Sequence, residues 1–142
     1  MNDKIYITWE DFHRDTKALA EKIRSAGNFN KIIAVSRGGL LPAGILAYEL
    51  DIRNSQAIII SSYDGENRRE KDKIEVVCNV GEVDAATLIV DDLSDSGNTI
   101  RLLRRSFPDA CYVTVYAKPA GQADVDIFAR ELPDRWLVFP WD

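Results

Sequence analysis

The chain has 142 residues, of which 46% are hydrophobic and 29% are charged, and its formal net charge is −5. These values are typical of one globular domain that buries roughly two thirds of its unfolded surface on folding. The negative charge disfavours nucleic acid and anionic membrane surfaces as partners. The two cysteines, Cys78 and Cys111, are too far apart for a metal or redox motif, and no apolar run reaches the ~18 residues of a membrane span. We therefore expect a cytoplasmic protein with no nucleic-acid partner.

Hydrophobic periodicity in the first half of the chain predicts helices that alternate with buried strands. The first helix follows Thr8, which forms a capping-box pattern with Asp11, and it ends before Gly27. A second helix over about 40–49 accommodates Pro42 in its first turn. Continuous apolar runs, which are typical of strands buried on both faces, cover residues 32–35 and 57–60.

The second half of the chain continues this alternation after a charged segment over residues 62–73, which predicts a loop. The next helix has one apolar side and one basic side. Its apolar side carries Ile100, Leu103 and Phe107, and its basic side, predicted to face water, carries Arg101, Arg104 and Arg105. Further strands are predicted over residues 74–80, 88–90 and 112–116, and residues 136–139 fit either a strand or an extended lid.

Strands that alternate with helices imply an α/β fold with a mostly parallel central sheet and right-handed crossovers. Ligands of such sheets bind beyond the carboxyl ends of the strands. Polar segments stand at the ends of four predicted strands, at residues 36–39, 61–63, 91–92 and 118–119. We expect them to form one site.

The segment that runs from Leu88 to Thr99 carries the strongest functional signal. An apolar strand leads into Asp91 and Asp92, whose burial is costly unless a cation or hydrogen-bond donors meet them. The loop that follows is rich in Ser, Gly, Asn and Thr, and its N–H groups and hydroxyls suit a phosphate. Together these features describe a pocket for a phosphorylated sugar. Taken alone, the loop also fits an ordinary helix N-terminus with Asp95 as its N-cap.

Four motifs in this order resemble the type I phosphoribosyltransferases, and in particular the bacterial xanthine-guanine group of that family. They are the acidic pair with its phosphate loop, a pyrophosphate loop and two purine-pocket segments, at residues 91–99, 36–39, 118–121 and 136–142. The resemblance implies that family's α/β fold, a mostly parallel central sheet flanked by helices, with a small hood over the C-terminal ends of the strands. It also implies a single domain over residues 1–142, with a flexible catalytic loop at about 62–75 and a base-binding hood at about 118–142.

The resemblance further implies an enzyme of purine salvage. Such an enzyme transfers the phosphoribosyl group from 5-phospho-α-D-ribose 1-diphosphate (PRPP) to a 6-oxopurine and releases pyrophosphate, with Mg²⁺ as cofactor. Xanthine and guanine are the expected acceptors. Two alternatives stay open, which are a hypoxanthine-preferring enzyme and a non-catalytic regulator that senses PRPP or nucleotides on the same fold. A homo-oligomer, dimer or tetramer, is expected from the family, and peripheral association with the inner membrane stays open.

The resemblance assigns a role to each expected site residue. Contacts to PRPP are expected from Ser36, Arg37, Gly38, Arg69, Asp91, Asp92, Leu93, Ser94, Asp95, Ser96, Gly97, Asn98 and Thr99. Catalytic roles are expected for Asp95, Arg69 and Tyr63, with Asp95 as general base. Asn98 stands where the resembled group usually carries glycine. The family's cis peptide bond is expected between Arg37 and Gly38.

The purine and the metal have their own expected ligands. Lys118 is expected to donate to O6, and Trp136 to stack on the base. Asp95 is expected to face the purine, and backbone groups of Trp136 and Leu137 to face its 2-position. Mg²⁺ is expected on Asp92, with Asp91 as a second candidate ligand, directly or through water.

Overall fold

The computed structural model describes residues 3–62, 74–76 and 79–142. The strands are β1 (Lys4–Tyr6), β2 (Lys31–Ser36), β3 (Ser55–Ser62), β4 (Ile74–Val76), β5 (Thr87–Ser94), β6 (Cys111–Ala117), β7 (Ile127–Glu131) and β8 (Trp136–Val138). The α-helices are α1 (Trp9–Ala26), α2 (Leu40–Glu49) and α3 (Asn98–Ser106), and a 3₁₀ helix spans Pro119–Asp124. Among these described residues, no helix is both long enough and apolar enough to cross a membrane.

Six strands form the central sheet in the order β4-β3-β2-β5-β6-β7. Every neighbouring pair is parallel except β3 and β4, which pair in antiparallel orientation at one edge. Central β2 pairs on both sides, so that Ala34 lies opposite Ala57 on β3 and opposite Val90 on β5. The predicted mostly parallel α/β sheet is therefore confirmed.

Successive residues of the central strands enter two apolar cores, one on each face of the sheet. Ile32 belongs to a core that includes Leu19 of α1 and Leu46 of α2. The next residue, Ile33, belongs to a second core that includes Leu103 of α3. Because helices cover both faces, the inner strands are apolar throughout rather than alternating.

The first two helices begin as the sequence predicts. The Thr8 hydroxyl accepts a hydrogen bond from the Asp11 N–H at 3.0 Å, and the Thr8 N–H donates to the Asp11 carboxylate at 3.3 Å. α2 spans Leu40–Glu49 with Pro42 buried in its first turn, where a missing N–H costs no helical hydrogen bond.

Strand β5 is longer than predicted, because it continues to Ser94 and includes both acids of the motif. The strand continues because its backbone pairs with β6, where Asp91 lies opposite Thr114 and Ser94 lies opposite Ala117. The acids therefore lie within a paired strand, and their backbone is held by the sheet rather than by a loop.

The prediction that Arg104 faces water is wrong. Its guanidinium lies 3.0 Å from the carboxylate of Asp126 and 4.4 Å from the ring centroid of Tyr112. The N–H of Tyr112 also donates to the Asp126 carboxylate at 2.8 Å. This pairing draws Arg104 back against the sheet and leaves the side chain half-buried.

The C-terminal segment forms a strand, which settles the alternative between a strand and an extended lid. β8 pairs in parallel with β1 in a small separate sheet, with Leu137 opposite Ile5. Its side chains alternate, since Trp136 is 70% exposed whereas Leu137 is 7% exposed and enters the core. Beyond β8, the rings of Phe139 and Trp141 stack with centroids 4.7 Å apart. These contacts fix the segment against the domain.

Candidate active site

Three parallel strands bring their polar C-terminal ends to one edge of the sheet. β2 ends at Ser36, β5 ends at Ser94, and Lys118 directly follows β6. One cavity of about 340 Å³ is lined by Ser36, Gly38 and the acids Asp91 and Asp92. A smaller neighbouring cavity of about 90 Å³ is lined by residues 93–100 together with Asp91. The predicted pyrophosphate loop, acidic pair and phosphate loop therefore meet around adjoining spaces.

The phosphate loop turns into α3 at Gly97, which is the N-cap and has a φ of 86°. That left-handed conformation favours glycine. The Asn98 N–H donates to the Ser96 hydroxyl at 3.3 Å, while the N–H groups of Thr99 and Ile100 have no acceptor within the helix. Asp95 is therefore not the N-cap, and its side chain, 67% exposed, is left for another partner.

The acidic pair is held close together in a half-buried position. The Asp91 carboxylate accepts a hydrogen bond from the Asp92 N–H at 2.9 Å. Burial raises the pKa of Asp91 well above its usual range, and the charge of Asp92 raises it further. Burial also raises the pKa of Asp92, with an added contribution from the carboxylate of Asp142. Carboxyl groups in such surroundings become fully ionised more readily when a cation is near.

The pyrophosphate loop packs directly against β5. A Cβ on Gly38 would lie 2.8 Å from both carboxylate oxygens of Asp92, and one on Gly39 would lie 2.1 Å from the carbonyl oxygen of Val90. Only glycine permits this approach. The cis peptide bond joins Ser36 and Arg37, so its predicted position between Arg37 and Gly38 is wrong by one residue. β2 ends at Ser36, so the cis bond immediately follows the strand.

Lys118 is a nearly buried cation that faces two carboxylates. Its side chain is 9% exposed, and its ammonium lies 3.3 Å from Oδ1 of Asp95 and 4.0 Å from Oδ1 of Asp134. Asp134 precedes Trp136 by two residues, so this contact brings the segment before β8 beside Lys118. The Leu137 side chain is buried in the core, which leaves only its backbone for a ligand.

Comparison with known proteins agrees with this geometry. Residues 4–142 match the phosphoribosyl transferase domain family. The chain belongs to that family. A xanthine-guanine phosphoribosyltransferase of Nitratidesulfovibrio vulgaris is 46% identical over 138 residues, which cover 96% of this chain and 83% of the relative.

Two solved structures extend the likeness to the fold of this phosphoribosyltransferase. A purine phosphoribosyltransferase from Pyrococcus horikoshii superposes with a TM-score of 0.83 at 31% identity, covering 99% of this chain and 95% of that one. A protein from Neisseria gonorrhoeae with bound ppGpp has a TM-score of 0.75 at 30% identity, covering 100% of this chain and 90% of that one.

The acidic pair fits the Mg²⁺ that phosphoribosyltransferases generally use with PRPP. Mg²⁺ prefers hard oxygen ligands and keeps several waters, so one or two carboxylates and a substrate phosphate suffice. Asp91 and Asp92 supply such oxygens in the larger cavity. Among the described residues no cluster of three or more acidic, histidine or cysteine side chains forms a metal cage.

The structure places most of the sequence-predicted residues at this edge. Tyr63 and Arg69 lie outside the described residues. Ser94 lines the smaller cavity, but its buried hydroxyl donates to the carbonyl of Gly121 at 2.8 Å. Its side chain therefore joins two segments instead of facing a phosphate.

Sequence reasoning missed the structural part played by Gly121. A Cβ at Gly121 would lie 2.2 Å from the carbonyl oxygen of Ser94. The Lys118 N–H donates to that same carbonyl at 3.0 Å. The glycine that follows Lys118-Pro119-Ala120 was the available signal, since glycine in such a motif can mark close backbone approach.

Proposed function

We propose that this phosphoribosyltransferase transfers the phosphoribosyl group of PRPP to a 6-oxopurine, with xanthine and guanine as its preferred acceptors. The observation that carries this proposal is the Lys118–Asp95 pair at the junction of the phosphate loop and the segment that follows β6. A lysine ammonium can only donate hydrogen bonds, and it therefore suits a carbonyl such as O6. The 6-amino group of adenine offers no acceptor there.

The two cavities divide the PRPP molecule between them. The smaller cavity, lined by residues 93–99, takes the 5′-phosphate on N–H groups and the hydroxyls of Ser96 and Thr99. The larger one takes the ribose hydroxyls on Asp91 and Asp92, and the diphosphate on Ser36 and Gly38. Arg37, which lies between these two residues in the chain, completes the diphosphate contacts. A bound Mg²⁺ would neutralise charge on the leaving diphosphate.

Asp95 and Lys118 then act on the base. Asp95 accepts the proton that the purine loses as its glycosidic bond forms. Lys118 holds O6, and Trp136 stacks on the ring, while the backbone of residues 136–137 faces the 2-position. Fixed amides and cations that surround developing charge lower the barrier without reorganising during the reaction.

The remaining assignments complete the proposal. Tyr63 and Arg69 act within a catalytic loop at about 62–75, and the hood covers about 118–142 of a single domain. We place the enzyme in the cytoplasm, with no nucleic acid as partner, as a homo-oligomer.

A purine panel tests the proposal. Xanthine, guanine, hypoxanthine and adenine are each mixed with PRPP and Mg²⁺, and nucleotide formation is followed by chromatography. Turnover of oxopurines but not of adenine is expected, with xanthine and guanine ahead of hypoxanthine. Equal turnover of adenine would contradict the role of Lys118, and a preference for hypoxanthine would correct the acceptor.

A second candidate function is binding of a guanosine polyphosphate as a regulatory ligand. The specific observation is the ppGpp bound to the Neisseria gonorrhoeae neighbour, which covers the whole of this chain. We infer that the two diphosphate groups of such a nucleotide would occupy the adjoining cavities. Competition between ppGpp and PRPP, measured by calorimetry, tests this candidate. If ppGpp and PRPP bind but no purine is turned over, the chain is a sensor rather than an enzyme.

A further inference from the structure

Arg101 contacts the phosphate loop from outside its cavity. It lies on the first turn of α3, and its guanidinium donates to the carbonyl oxygen of Ser96 at 3.2 Å. It also donates to the side-chain oxygen of Asn98 and forms an ion pair with Asp124. Ser96 and Asn98 flank Gly97, so one guanidinium holds the loop on both sides of its left-handed turn. The residues that line the smaller cavity do not include Arg101.

Asp124 joins this contact to the purine side of the site. It is the last residue of the 3₁₀ helix that begins directly after Lys118. A Cβ on Gly97 would lie 2.2 Å from Oδ2 of Asp124. Glycine at this position therefore permits both the left-handed turn and the close approach of the Asp124 carboxylate. On the inner side, Ser94 binds the same segment through Gly121 and the Lys118 N–H. The two segments are thus tied at two separated points.

We propose that Arg101 and Asp124 are positioning residues that hold the phosphate loop in its binding geometry and join it to the segment carrying Lys118. The guanidinium is planar and presents several donors in a fixed fork, so it can satisfy three acceptors at once. The Arg101 guanidinium already donates to Ser96, Asn98 and Asp124. Arg101 therefore acts on the 5′-phosphate indirectly, by holding the loop that binds it. The inference rests on the proposed function of that loop.

This role is separable from global stability. The side chains of Arg101 and Asp124 are 48% and 18% exposed, so water reaches the guanidinium and the ion pair contributes little to folding. Misplacing a binding group by about 1 Å, in contrast, can cost ~100-fold in rate. Loss of the pair should therefore weaken PRPP binding while leaving the melting temperature almost unchanged.

Calorimetric titration with PRPP and Mg²⁺ tests the proposal on the full chain. Arg101→Met and Asp124→Asn are each expected to raise the Kd for PRPP roughly tenfold, and the double variant to do no worse than either single one. Arg105→Met, which removes an exposed arginine from the last turn of the same helix, is the matched control and should bind like wild type. The KM for PRPP should rise in the same proportion, with the KM for guanine changing less than twofold.

Arg101→Lys separates positioning from simple charge. Lysine keeps the positive charge but lacks the planar fork, so we expect its PRPP affinity to lie near that of Arg101→Met. Wild-type affinity in the lysine variant would overturn the proposal, as would unchanged affinity in Arg101→Met or a parallel fall in melting temperature. A wild-type chain that binds PRPP but turns over no purine would refute the proposed function and leave this inference standing. A wild-type chain that does not bind PRPP would refute both.

Discussion

The ammonium of Lys118 lies 3.3 Å from the carboxylate of Asp95. The sequence assigned these residues separately to reading O6 and to accepting a proton, and the structure shows them in contact. A buried lysine that lost its partner would carry an uncompensated charge. Asp95 therefore stabilises the cation that we propose as the donor to the purine O6.

Lys118→Met should relax discrimination between oxopurines and adenine. Removing the ammonium takes away the donor to O6, and a site built for one hydrogen bond loses its selectivity when that bond is gone. We expect kcat/KM for guanine to fall about 100-fold, with little change for adenine. Steady-state assays on both bases measure this, and Lys17→Met on the exposed side of α1 is the control. Unaltered selectivity would remove Lys118 from its assigned role.

Asp95→Asn should lower kcat far more than it weakens PRPP binding. A positioned general base contributes about 10²–10⁴-fold, and the amide cannot accept the proton while it keeps the shape of the side chain. We expect a loss of about 100-fold in kcat with the KM for PRPP within about threefold. Near-native turnover in this variant would mean that the purine loses its proton by another route.

Gly38→Ala should damage the larger cavity, because its Cβ would lie 2.8 Å from the Asp92 carboxylate. Moving that carboxylate should raise the KM for PRPP roughly tenfold and increase the Mg²⁺ concentration needed for half-maximal rate.

Gly44→Ala provides the matched control for Gly38→Ala. Gly44 lies within α2, and a Cβ there would meet no heavy atom within 4 Å. This variant should keep its activity and gain about 0.5–1 kcal/mol in unfolding free energy, measured by urea denaturation. A similar KM for PRPP in both alanine variants would show that the close approach of Gly38 to Asp92 is not needed for PRPP binding.

Cys111 should be an unreactive thiol at neutral pH. Burial, with a smaller contribution from Asp126, raises its pKa to about 11. At pH 8 only about one thousandth of a thiol with that pKa is ionised, and the thiolate is the reactive form. In a Cys78→Ser background, labelling should therefore be about 100-fold slower in the folded protein than in urea. Equal labelling rates would contradict the buried environment.

The raised pKa of Cys111 predicts that the protein loses stability at alkaline pH. The folded-state pKa of Cys111 lies above the usual thiol value of 9.0. The contribution of the protonated Cys111 thiol to the unfolding free energy is therefore fully present below pH 9 and is lost as the pH rises towards 11. Unfolding free energies at pH 8 and pH 10.5 should differ more for the Cys111 protein than for Cys111→Ala. An identical pH dependence would contradict this assignment.

The sequence predicted the three α-helices, most of the strands and the edge of the sheet at which the site lies, because hydrophobic periodicity encodes burial directly. It did not predict β1, β7 or the 3₁₀ helix. It placed the end of β5 too early, since apolar residues give way to acids at Asp91 while backbone pairing continues to Ser94. Pairing of this kind depends on the neighbouring strand and leaves no local signal.

Contacts between distant residues were the least predictable part of the site. Arg101 and Asp124 are 23 positions apart, and each alone is typical of an exposed charged residue. Their ion pair follows from where α3 and the 3₁₀ helix lie on the finished fold. The Lys118–Asp95 contact is similar, since the two residues directly follow β6 and β5 and meet only once those strands pair.

The central claim is that this chain joins the ribose of PRPP to an oxopurine. The most direct test mixes the purified protein with PRPP, Mg²⁺ and guanine and quantifies GMP and pyrophosphate in the same samples over time. We predict that both products appear in equal amounts and that omitting guanine abolishes both. Pyrophosphate release without GMP, or no release at all, would contradict the account.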